Sequence, residues 1–84
     1  MIGVSKLMGK IIDSIENPEN YSEAIKKRMK EDALERLPPA YIVIIDSFRS
    51  MHNVVNGKTN SSISEEDKKD LIQNMVNTKK VFPH

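Results

Sequence analysis

Cysteine is absent from this chain, and so are glycine-rich turns, long apolar runs and any segment with a strong excess of one charge. Each absence removes a class of protein. Without cysteine, neither a disulfide framework nor a thiolate metal site supplements the core. The same absence is compatible with every redox compartment. The glycines stand apart at positions 3, 9 and 57, so no glycine-rich loop is present to cradle a phosphate. The longest apolar stretch, Ala40 to Ile45, falls far short of the roughly 20 residues that span a bilayer. A secretory leader needs an unbroken apolar run of about 7–15 residues, and here Lys6, Lys10 and Asp13 interrupt it. The expected compartment is the cytosol, or the host cytoplasm for a phage protein, with no membrane contact.

Charge of one sign is equally scarce. Residues 1–21 carry a net −1, residues 22–37 and 38–60 carry +1 each, and residues 61–84 carry none. A one-sided basic surplus is the electrostatic footprint of a nucleic-acid binder, and no segment has it. Lys, Ile and Asn supply 27 of the 84 residues. That bias is common in AT-rich genomes and points toward a bacterium, a phage or a mobile element.

Catalytic parts are missing too. Nucleophilic catalysis needs a hydroxyl or thiol beside a base, with a third group orienting that base. The only histidines are His52 and the terminal His84. His52 falls on an apolar stripe between Phe48 and Val55, which reads as a core-edge histidine satisfied by a neighbour. Its burial would make stability depend on pH. No His-x3-His pair and no calcium-hand spacing occurs. The carboxylates Glu65, Glu66, Asp67 and Asp70 are explained by their place at the start of a helix, where they complement its dipole. No catalytic residue, metal ligand or cofactor is therefore expected, and the chain reads as non-enzymatic.

What is present is helical periodicity. Val4, Leu7, Met8, Ile11, Ile12 and Ile15 repeat at the spacing of one buried helix face. Gly9 costs such a helix on the order of 1 kcal/mol relative to alanine, so a close approach must offset it. Asn17-Pro18 ends the helix, because the residue before proline is pushed out of the α region. Asn20 then caps a second helix, with Glu23 completing a capping box. Its stripe of Ile25, Met29, Ala33 and Leu37, with Leu34 alongside, drifts around the helix. Pro38-Pro39 stops it.

Tyr41, Ile44, Ile45, Phe48, Met51 and Val55 share one face of a third helix, with Ile42 and Val43 opposite. A helix apolar nearly all round belongs at a bundle centre or a subunit contact. The rival is a strand at Tyr41–Ile45, since β-branched residues favour strands. Asn56-Gly57 supplies a left-handed stop, and Lys58–Ser62 is a polar loop. Ser64 caps a fourth helix, which buries Leu71, Ile72, Met75 and Val76 and places Lys79 and Lys80 at its negative end. Phe82 either folds back or stays exposed.

The expected fold is all-α: one domain, 1–84, built as a compact bundle of helices near 4–16, 20–37, 40–56 and 64–80. Two functions suit it. One is a small interaction or regulatory protein that presents a helical surface to a protein partner or to a second copy of itself. Ile42, Val43, Asp46 and Arg49 would carry that contact, with Asp46 and Arg49 paired and partly buried. The alternative is a nucleic-acid-binding accessory protein. It would use Lys26, Lys27, Arg28 and Lys30 against phosphates, contacts that carry no sequence information. Glu23, Glu31, Asp32 and Glu35 beside that cluster favour an ordinary solvated face.

Overall fold

A computed structural model of the chain describes residues 3–59 and 62–83. Among them are four α-helices and no strand: α1 (Val4–Glu16), α2 (Glu23–Arg36), α3 (Pro39–Val55) and α4 (Glu65–Val81). Asn60 and Ser61 of the polar loop, and His84, lie outside the described residues. The helices form one unit measuring 42 × 24 × 20 Å, in which α1 packs against α2 and α3, and α3 packs against α4.

α1 is the keystone. Its stripe alternates steps of three and four residues, which keeps Leu7, Met8, Ile11 and Ile12 on one buried face. Gly9 lies on the same buried side, and the close approach it permits is to the C-terminal tail. A Cβ on Gly9 would sit 2.5 Å from the Pro83 carbonyl oxygen and 3.0 Å from that of Phe82. Phe82 folds back into the core, edge-on to Tyr41 with ring centroids 5.5 Å apart.

The α1–α2 corner departs from expectation. Pro18 starts a single 3-10 turn, Pro18–Asn20, because its fixed φ suits the first position of such a turn. Asn20 is spent inside that turn and does not cap α2. Ser22 does: the Ile25 N–H donates to its Oγ at 3.2 Å. Glu23 is therefore the first helical residue, and no capping box forms. Asp13 ties the corner down by accepting from the Tyr21 hydroxyl at 2.6 Å and from Asn17 Nδ2 at 3.0 Å. Partial burial, the hydrogen bond to Asp13 and the Asp13 charge, in that order, push the Tyr21 phenol from 10.0 to about 12.

α2 buries only Met29 and Ala33, with Leu37 just beyond its end. Ile25 and Leu34, expected with them, are exposed. Steps of four residues overshoot a turn of 3.6 by about 40° each, so the stripe starts outside the core at Ile25 and reaches it at Met29, Ala33 and Leu37.

Tyr41–Ile45 is helical, and α3 is continuous from Pro39 to Val55. Phe48 is fully enclosed and Ile45 nearly so, while Ile42 is half-buried and Val43 exposed. α3 packs against both α1 and α4, while α1 buries the larger number of residues. Asp46 and Arg49 do form an ion pair, at 3.7 Å, but on the exposed side of α3 and not in a partly buried setting. Gly57 adopts φ +68°, the left-handed stop expected after α3.

Ser64 caps α4 as expected, accepting from the Asp67 N–H at 3.1 Å. Met75 is buried and Leu71 and Val76 half-buried, whereas Ile72 turns outward. Lys79 near the end of α4 reaches Glu16 of α1 at 3.2 Å, joining the two helices at one end of the molecule. No helix among the described residues is long and apolar enough to cross a membrane.

Candidate functional site

Because α2 and α3 both lean on α1 more than on each other, an open groove of about 600 Å³ separates them. Its floor is apolar: Ile11 and Ile15 of α1, Met29 and Ala33 of α2, and Ile45 of α3. Helical spacing sets the walls. Lys27, Lys30 and Leu34 follow one another along a single face of α2, and Ile42, Asp46, Arg49 and Asn53 do so on α3. Lys58, past the α3 stop, also borders the groove.

The rim is basic. Lys26 is paired with Glu23 at 2.8 Å and Arg49 with Asp46 at 3.7 Å. Lys27, Lys30 and Lys58 have no carboxylate partner among the described residues. Three uncompensated cations thus stand around an apolar floor. Side chains assigned from the sequence to rival functions share this one groove: Ile42, Asp46 and Arg49 with Lys26, Lys27 and Lys30. Val43 and Arg28 do not line it.

Sequence reasoning missed the groove because it placed Ile11, Ile15 and Ala33 in a closed core and Lys58 in a loop. One signal was available. The rotating stripe of α2 meant that this helix could not seal the same face along its whole length, and Lys27, Lys30 and Leu34 occupy the face it leaves open.

His52 is half-buried between the groove and a smaller depression of about 320 Å³ at the ends of α1, α3 and α4. Its ring makes no hydrogen bond among the described residues. The smaller depression is bordered by the Glu16–Lys79 pair. Among the described residues, no three His, Asp or Glu side chains gather where they could hold a metal ion.

The fold and the groove define a class: a small all-α domain with an open, basic-rimmed apolar cleft between two helices. No protein-family model, no curated protein and no solved structure matches this chain.

Proposed function

We propose that this is a small non-enzymatic interaction protein, regulatory in role, whose groove between α2 and α3 receives a segment of a protein partner. The observation that carries the reading is the combination of apolar floor and helical walls. Exposed Leu34 and half-buried Ile15 and Ile42 leave apolar surface open in the groove, and a groove between helical ridges is the form in which helical domains accept a partner's amphipathic helix. The Lys, Ile and Asn bias accords with a bacterial or phage regulator acting in the cytoplasm.

A second reading has its own observation: Lys26, Lys27, Lys30, Arg49 and Lys58 all border one groove, which favours a nucleic-acid accessory. Against it stand the apolar floor and the scarcity of cations. Phosphate binding draws its affinity from counterion release at each contact, and among the described residues three of these cations lack a carboxylate partner.

A photo-crosslinking residue at Leu34, on the groove wall, tests the choice in the source cell against the same residue at Gln73 on the exposed side of α4. A discrete protein adduct formed from Leu34 and not from Gln73 is the expected result. Adducts to nucleic acid from Leu34, or equal capture at both positions, would overturn the proposal.

A further inference from the structure

We infer that the occupant of this groove is an acidic amphipathic helix belonging to a different protein. The inference rests on the protein-partner reading above and goes further by specifying the partner's chemistry.

Shape comes first. α1 contributes to the floor, and α2 and α3 form the walls. Helices pack by seating the ridges of one in the grooves of another, and this cleft has helical ridges on both sides. Ile11, Met29, Ala33 and Ile45 lie buried beneath it, but half-buried Ile15 and Ile42 and exposed Leu34 leave apolar surface along it, which an occupant would cover with an apolar stripe repeating at i, i+3, i+4 and i+7.

Charge decides what flanks that stripe. Lys27 and Lys30 stand on the α2 wall and Lys58 beyond the end of α3, all three exposed and without carboxylate partners among the described residues. Arg49 on the opposite wall is held only by an exposed 3.7 Å contact with Asp46. An occupant with glutamates or aspartates on both shoulders of its apolar stripe meets a cation on either side. A basic or neutral helix would leave these charges facing like charge or nothing.

The same two features reject other occupants. A phosphodiester backbone has no apolar stripe to cover the floor. A second copy of this chain lacks the required face as well. Its exposed large apolar residues, Ile25, Leu34, Val43, Ile72 and Val81, are scattered over three helices. The one on the acidic half of α4, Ile72, has Lys68 and Lys69 as near neighbours on that helix.

The test uses the whole chain and a labelled synthetic helix of about 14 residues, four turns long, with leucines on the stripe and glutamates on both shoulders. A second peptide carries lysines in place of the glutamates, and a duplex oligonucleotide serves as a third probe. Fluorescence anisotropy should show the glutamate peptide binding at least about tenfold tighter than the lysine peptide, with affinity falling as salt rises. The double variant Lys27→Glu/Lys30→Glu, at two exposed positions, should retain the helical circular-dichroism spectrum and invert that preference.

Equal binding of both peptides, tighter binding of the duplex, or a dimer in the ultracentrifuge that the charge-reversed variant abolishes would overturn the inference. Should neither peptide bind while the Leu34 crosslinker still captures a discrete protein, the partner's chemistry is wrong and the protein-partner reading stands. Should Leu34 capture no protein, both fall.

Discussion

α1 and α2 differ by one residue in length, 13 against 14, yet α1 buries five of its side and backbone positions and α2 only two. The difference lies both in the number of large apolar residues, six in α1 against three in α2, and in their spacing. α1 mixes steps of three and four, which average to the helical repeat and hold one face. α2 steps by four throughout, and its stripe begins off the core at Ile25 and turns onto it only from Met29. A steady stripe makes a wedge that two neighbours can grip, whereas a rotating stripe touches the core at its middle and end only. The molecule is consequently tight where α1, α3 and the C-terminal tail meet, and open where α2 and α3 diverge.

Truncating Ile12, which is 1 % exposed on the tight side, should bring out the contrast most strongly. Ile12→Ala is expected to cost about 2–5 kcal/mol through lost transfer energy and the cavity left behind. For 84 residues the whole stability is on the order of 4–13 kcal/mol, so urea denaturation should show a large drop in midpoint. A loss no greater than that of Met29→Ala on α2 would mean that α1 is not the keystone.

Gly9→Ala comes next. Its methyl would lie 2.5 Å from a backbone oxygen of Pro83, and backbone cannot rotate aside as a side-chain tip can. Overpacking costs about 1–3 kcal/mol, against which alanine returns about 0.5–1 kcal/mol of helix propensity. The expected outcome is net destabilisation with displacement of the tail, read by NMR as loss of the Tyr41–Phe82 ring contact. A more stable variant with the ring contact intact would show that the tail does not depend on the glycine.

Tyr21 joins the two helices through Asp13, so its titration probes their corner. Its folded pKa, about 12, lies above the 10.0 of the unfolded chain. The folded state therefore holds the phenolic proton more tightly than the unfolded chain does. The stabilisation from this difference is complete below pH 10 and is lost as pH rises from 10 toward 12. Tyr21→Phe should lower stability by about 0.5–1.5 kcal/mol at neutral pH and flatten this part of the pH profile. An unchanged alkaline slope in the variant would place the titrating group elsewhere.

The smallest effect belongs to the open side. Leu34 is 69 % exposed on the groove wall, and Leu34→Ala should change stability by no more than about 0.5 kcal/mol. A thermal melt that falls as far as that of Ile12→Ala would mean that the groove closes in solution.

Much of the architecture was legible in the residues themselves. The four helices, Ser64 as a cap, Gly57 as a left-handed stop and the Asp46–Arg49 pairing, though not its exposure, all depend on interactions within about one helical turn. The misreadings share a cause as well. Asn20 looked like a cap because a 3-10 turn begun by Pro18 is hard to tell from a helix start at that spacing. Ile25, Leu34 and Ile72 looked buried because apolar character was taken for burial on helices that offer too little protected face. Half of the candidate site was visible as residues but not as a place. The Lys26–Lys30 cluster and the Ile42–Arg49 set stood 12 or more positions apart in the chain, and only the packing of both helices on α1 brings them to one groove.

Local energetics therefore determined the helices and most of their ends. Those outcomes follow from backbone hydrogen bonding and rotamer preference over a few neighbouring residues. Tertiary structure alone decided which helix buries the larger number of residues, why Gly9 must lack a side chain, where Phe82 lies and where the apolar surface stays open. Each of these depends on distances between segments remote in sequence, which are set when side chains of fixed volume compete for the same protected space.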